Sequence, residues 1–189
     1  MSTEFFLVGA ILAAVMALGL AVLFARQVLA MDRGSDVMVS ISNAIREGAD
    51  AFMRREYTWV AGFVVILAVL IGVLLPDGGW KAAAYVFGAL LSGVAGFIGM
   101  RIATAANSRT TEAARTGGVA KALPVAFRGG AVMGFTVAGL GLLGVGLGFW
   151  LFNTELLGLG GLKATWADVL AAIGLGGSSI ALFARVGGG

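Results

Sequence analysis

The chain ends SSIALFARVGGG (residues 178–189), where Arg185 places a full positive charge in a segment otherwise built for lipid. A charged side chain at the centre of a bilayer costs from about 2.5 to 17 kcal/mol. It is therefore held either at the interface, by its long stem, or inside the protein by a carboxylate. Val186-Gly187-Gly188-Gly189 offers no interfacial anchor, and Gly176-Gly177-Ser178-Ser179 marks a closely packed helix, so the interior reading is favoured. No apolar run elsewhere in the chain carries an acid within it, so the partner must lie on another chain or in further sequence.

The remaining candidates are weaker. Glu47, Asp50, Glu56 and Glu112 all have basic neighbours at helical spacing and read as solvated ion pairs. Asn107 and Ser108, at the mouth of a helix, read as caps or interfacial contacts. Gly139-Leu-Gly-Leu-Leu-Gly144 matches a dinucleotide fingerprint by letter only, since it follows no strand and opens no βαβ unit. There is no Walker A pattern and no carboxylate cluster that could hold a divalent metal beside a phosphorylated substrate. Histidine and cysteine are both absent, which excludes disulfides, Cys/His zinc sites and a histidine-based triad. The chain is thus expected to hold no catalytic, cofactor-binding or metal-binding residue of its own.

The elements that must position Arg185 follow from composition. The chain is 59% hydrophobic and 12% charged, about half the charge of a soluble domain, which points to an all-α integral membrane protein in contact with lipid. The net charge of +3 arises from two short basic blocks without interleaved aromatics, which argues against nucleic acid. Five apolar stretches stand out: 5–25, 57–75, 82–100, 129–152 and 169–184. The first four meet the roughly 20 residues that a helix needs to cross a bilayer core. The first is not a signal peptide, because Glu4 and no basic region precede it. The expected architecture is one transmembrane domain over 1–189, a bundle of five helices at about 5–30, 38–75, 80–115, 121–152 and 166–189.

Charge sets the expected orientation. Arg26, Arg33, Arg46, Arg54 and Arg55 lie between the first and second segments, and Arg101, Arg109, Arg115, Lys121 and Arg128 between the third and fourth. The other two links hold only Lys81 and Lys163. The positive-inside rule then puts the N-terminus outside and Arg185 toward the cytoplasmic end. Trp80 and Trp166 fall at the outer ends, where an aromatic belt forms. Residues 38–52 have helical apolar spacing and should run directly into the second segment, and Pro76-Asp77-Gly78-Gly79 should make a turn. Gly88/Ser92/Gly96, Gly130/Gly134 and Gly144/Gly148 are expected to be helix–helix contact faces.

Four segments taken together carry a resemblance: EGADAFMRREY (47–57), GMRIATAANSRTTEAARTGG (99–118), VAFRGGAVMGFTVAGLGLLG (125–144) and GLGGSSIALFARVGGG (174–189). In this order and spacing they closely resemble the N-terminal part of the membrane-bound, ion-pumping inorganic pyrophosphatases. The resemblance implies a homodimeric, multi-pass pump of the cell (plasma) membrane, with many more helices per subunit. It would hydrolyse Mg²⁺-pyrophosphate on the cytoplasmic side and drive H⁺ or Na⁺ outward. It further implies that Arg185 belongs to an ionic gate with carboxylates of later helices, and that Leu175 forms a hydrophobic constriction on the exit side. The family's metal- and substrate-holding loop, of D-V-G-A-D-L-V-G-K type, would follow the triple glycine. Residues 1–189 alone are therefore expected to be an inactive N-terminal fragment. The alternative is a structural or ion-pathway subunit of a multi-part transporter, without hydrolytic activity.

Overall fold

The computed structural model describes residues 3–152 and 165–188, and all regular structure among them is helical. The order is α1 (Thr3–Leu29), α2 (Asp36–Leu74), α3 (Gly78–Phe152) and α4 (Trp166–Gly188). Each is long and apolar enough to cross a membrane. Lys163 and the link that carries it lie outside the described residues.

Five separate helices were expected and four are found, because the third and fourth expected segments are joined as one. A straight helix of 75 residues would be about 112 Å long. α3 instead breaks its helical path at Gly117 (φ −155°) and Gly118 (φ +64°) and folds back on itself. Gly118 occupies the left-handed region that glycine enters without steric cost, so two residues suffice for the reversal. The two arms, residues 78–116 and 119–152, then run antiparallel. Trp80 near the start of α3 donates its indole N–H to the Phe152 carbonyl at its end (2.9 Å), and their rings lie 5.5 Å apart. Nearer the kink, Gly99 sits against Met133 and Gly129 against Ala106.

The other helices pack around this hairpin. α1 lies along the second arm, with Gly139 against Leu18 and Ala14, Gly146 against Ile11, and Phe24 and Phe135 with ring centroids 5.8 Å apart. α2 runs unbroken from the amphipathic stretch into the apolar one, its N-terminus capped by the Ser35 hydroxyl, which accepts from the Met38 N–H. It reaches α3 through the Asp50–Arg101 ion pair (3.3 Å) and the Tyr57 hydroxyl, which donates to the Gly93 carbonyl (2.8 Å). α4 begins with a Thr-x-x-Asp capping box, in which the Thr165 N–H donates to the Asp168 carboxylate and the Asp168 N–H donates back to the Thr165 hydroxyl. The core near this end joins Ile71 of α2, Ala84 and Tyr85 of α3, and Val169, Ala172 and Ile173 of α4.

The contact faces are partly those expected. Gly88, Ser92 and Gly96 all meet neighbours, as do Gly144 and Gly148. Gly130 and Gly134 do not, because the second arm turns Gly129, Val132 and Thr136 inward and leaves the next positions open. Small-xxx-small spacing alone did not identify the inward face there.

The end of the bundle that holds the α1–α2 link is tied down by charge. The Arg109 guanidinium donates to the Leu29 carbonyl at the end of α1 (3.1 Å) and to Ala105 of its own helix, so a cation meets a helix C-terminus. Gly34 (φ +83°) presses against Glu112, whose carboxylate takes two hydrogen bonds from Arg115 (2.7 and 2.8 Å). Those hydrogen bonds hold the Glu112 carboxyl below the usual carboxylate range, against the opposing effects of burial and nearby Asp32. A carboxyl with a lowered folded pKa contributes stability that is present above its unfolded pKa and lost as pH falls through the folded one. Hydrogen exchange over residues 30–40 should therefore stay slow through mildly acidic pH and accelerate only below the ordinary carboxylate range. In Glu112→Gln it should be faster at neutral pH and lose that acid dependence. An unchanged profile in the variant would show that Glu112 does not anchor the link.

Candidate functional site: the open face of the last helix

α4 is held against α3 by close backbone contact. A Cβ on Gly88 would collide with the Ile173 carbonyl, and one on Gly176 with the Tyr85 carbonyl. Beside them the Ser92 hydroxyl donates to the Gly177 carbonyl (3.1 Å). Such proximity is available only where both helices present glycine, and it fixes the rotation of α4 about its own axis. The helix is pinned again at its two ends, by Lys81–Asp168 (3.9 Å) and by Phe63 and Phe183, with ring centroids 4.9 Å apart.

That rotation decides where the candidate residues point. Val169, Ala172, Ile173, Ser179 and Ile180 are buried. At about 100° per residue, Leu175, Ser178, Leu182 and Arg185 fall within a sector of roughly 80° on the far side. All four are exposed. Leu175 and Arg185 thus share one uncovered face, about 15 Å apart along the axis. Arg185 makes no hydrogen bond or ion pair among the described residues.

Other sequence candidates fall elsewhere. Gly139–Gly144 lies inside a helix, with Gly139 against α1 and Gly144 against Leu91, so it cradles no phosphate. Glu112 pairs with Arg115 at i,i+3 as the spacing suggested, whereas Asp50 reaches across to Arg101 rather than along its own helix. Asn107 lines a cavity between the arms of α3, and the Ser108 hydroxyl is buried without a partner among the described residues. Among the described residues no group of three or more acids, histidines or cysteines could hold a metal ion.

A further residue was misread. Glu56 was taken as a surface ion pair, yet its Oε1 is buried and accepts no hydrogen bond from a described residue. It lines a cavity of about 510 Å³ bounded by α2, both arms of α3 and α4. The available signal was its place: it is the acid that directly adjoins the apolar stretch of α2.

Residues 15–189 match the family described as inorganic H+ pyrophosphatase. The chain is similar to a K(+)-insensitive pyrophosphate-energized proton pump of Methanosarcina mazei, with 43% identity over 178 residues, covering 94% of this chain and 25% of that protein. It is also similar to a protein of the same name from Pyrobaculum aerophilum, 44% identical over 173 residues, which cover 89% of this chain and 23% of that one. A third, named "Putative K(+)-stimulated pyrophosphate-energized sodium pump", from Clostridium tetani, is 42% identical over 187 residues, or 98% of this chain and 26% of its own length. The chain spans about a quarter of the length of these relatives. With a family match that runs through α4 and its arginine, the chain belongs to the inorganic H+ pyrophosphatase family.

Proposed function

We propose that these residues form the N-terminal quarter of a membrane pyrophosphatase that couples Mg²⁺-pyrophosphate hydrolysis to outward pumping of H⁺ or Na⁺. The observation that carries this reading is the uncovered face of α4, which presents Leu175 and Arg185 on one side of a rigidly seated helix within a chain of this family. Arg185 contributes the permanent charge of an ionic gate, and Leu175 a hydrophobic constriction toward the exit. A guanidinium suits the first role because it stays charged while the carboxylates around it exchange protons. Hydrolysis needs metal-clamped phosphate oxygens and a positioned water. The Mg²⁺ ligands belong to other parts of the pump, which works as a homodimer in the plasma membrane. In that setting each arm of α3 crosses the bilayer, giving five crossings with the N-terminus outside.

The test is hydrolysis and ion uptake measured side by side in vesicles bearing the full-length protein. Mg²⁺-dependent phosphate release with accompanying H⁺ or Na⁺ uptake is expected from the full-length protein, and neither from residues 1–189 alone. Hydrolysis by the shorter chain would sink the reading. Topology is checked with single cysteines, which this cysteine-free stretch tolerates at Gly79, where a Cβ meets open space, and at exposed Val119. An impermeant maleimide should label Gly79→Cys from outside and Val119→Cys only from the cytoplasmic side. The reverse pattern would invert the orientation.

A further inference from the structure

Near the fold-back of α3 lies a separate open cavity of about 320 Å³, where the α1–α2 link meets both arms. Asp32 comes to it from the link, Arg109 and Glu112 from the first arm, and Lys121 from the second. Both acids already have donors: Glu112 takes two hydrogen bonds from Arg115, and Asp32 accepts from the Gly34 N–H (3.0 Å). The cations are less well served, since neither Arg109 nor Lys121 forms an ion pair among the described residues. Two of the five N–H groups of Arg109 are spent on the Ala105 and Leu29 carbonyls, which hold the guanidinium still. Its buried Nε–H finds no acceptor among the described residues. More positive charge stands close by. Arg33 on the link donates to Asn43 of α2 (2.6 Å), and Arg46 lies one turn beyond Asn43 on the same face. Burial first, then Arg33 and Arg46, push the Arg109 pKa down, so the field at this guanidinium is positive.

We infer that this cavity is a binding site for a phosphate oxyanion, held between the Arg109 guanidinium and the Lys121 ammonium, with Arg33 and Arg46 supplying further attraction. An oxyanion seated against the guanidinium provides the acceptor that the fork lacks. Charge-assisted bonds of this kind are about twice as strong as neutral ones, and both side chains suit phosphate oxygens. Glu112 is neutralised in place by Arg115, which leaves Arg109, Lys121, Arg33 and Arg46 against Asp32. Two sources can bring the same chemistry. The Leu29 carbonyl that Arg109 holds lies about 6 Å beyond the apolar run of α1, and Val125, on the cavity wall, about 6 Å outside that of the second arm. The headgroup layer extends about 5–8 Å past the hydrocarbon on each side, so a lipid phosphodiester reaches this level, as does a free phosphate from the water. Either occupant bridges the two arms of α3 and clamps the reversal at Gly117-Gly118.

The experiment uses the full-length protein, delipidated in neutral detergent and kept free of Mg²⁺ so that no turnover occurs. Dioctanoyl-phosphatidylglycerol, inorganic phosphate and, as a tail control, dioctanoylglycerol are titrated separately, with binding read by calorimetry. At least one of the two phosphate compounds should bind, and Lys121→Gln should weaken it about tenfold, the loss of one charge-assisted hydrogen bond. Arg46→Gln should weaken it less, through the field alone. Arg55→Gln removes the same charge from an exposed position farther along α2 and should leave binding unchanged. Lys121 and Arg46 are exposed, so neither change puts the fold at risk, whereas Arg109 also ties down Leu29 and is left in place. Phosphate bound elsewhere on the protein does not respond to Lys121→Gln. Tighter binding of the phosphatidylglycerol than of phosphate assigns the site to a lipid headgroup; equal or tighter binding of phosphate assigns it to a soluble anion. Binding of neither, equal binding of dioctanoylglycerol, wild-type binding by Lys121→Gln, or an equal loss in Arg55→Gln would each overturn the inference.

Discussion

Arg185→Ala in the full-length pump should abolish or strongly impair both pyrophosphate hydrolysis and ion uptake. If Arg185 sits among carboxylates of other helices, removing it leaves those acids facing one another without their counter-charge. Breaking such a buried pair costs about 3–5 kcal/mol, roughly two to nearly four orders of magnitude in any equilibrium it controls. Mutual repulsion would also raise the pKa of at least one acid, so the proton would be held when it should be released. Arg185→Lys should be defective as well, since an ammonium is a point charge and cannot bridge two carboxylates as a planar fork does. An interfacial anchor behaves differently: lysine would replace it freely and alanine would cost little. Near-normal hydrolysis and uptake in Arg185→Ala would assign the residue to the interface and remove it from the ion path.

The second large effect is expected at the α3–α4 crossing. An alanine at Gly88 or Gly176 brings its Cβ into a backbone carbonyl of the opposite helix, where no flexible side chain can give way. Overpacking typically costs about 1–3 kcal/mol, and two backbones in register place these sites at or above the top of that range. Either change pushes α4 off its seat, so the Ser92–Gly177 hydrogen bond should go with it. Gly62→Ala is the control, because its Cβ meets open space and a helix gains about 0.5–1 kcal/mol from losing a glycine. In detergent, the melting temperature of Gly88→Ala and Gly176→Ala should fall well below that of Gly62→Ala, with hydrolysis reduced in parallel. Equal melting curves for all three would mean that α4 is not fixed by this crossing.

Much of this architecture is legible in the residues because lipid imposes a simple rule. An apolar run of membrane length must be helical, since the bilayer supplies no partner for free backbone groups. That rule sets the position of α1, of the apolar part of α2 and of the two arms of α3. It says nothing about how consecutive runs are joined. Gly117-Gly118 could have opened a loop, and only the left-handed φ of Gly118 shows that the chain reverses within two residues. Partner choice was equally hidden: Asp50 has arginines four residues away on either side, yet pairs with Arg101 on another helix. The same limit applies at Glu56, where sequence spacing gives a neighbour but tertiary placement decides whether water reaches the oxygen. The shared face of Leu175 and Arg185 follows from helical arithmetic alone, but that this face is the uncovered one depends on the glycine contacts behind it.

The length of α2 and of the first arm of α3 has an electrostatic consequence. Each is 39 residues, about 58 Å, against a hydrocarbon core of about 30 Å. With one end flush with that core, the other stands about 28 Å beyond it, and about 20 Å past the headgroups. The Debye length at physiological ionic strength is about 8 Å, so these tips lie more than two screening lengths above the anionic leaflet. An anion near them meets basic side chains, Arg33 in the α1–α2 link, Arg46 on α2 and Lys121 on the second arm of α3, rather than the repulsion of the membrane surface. The overhang holds these tips clear of the membrane's own surface field.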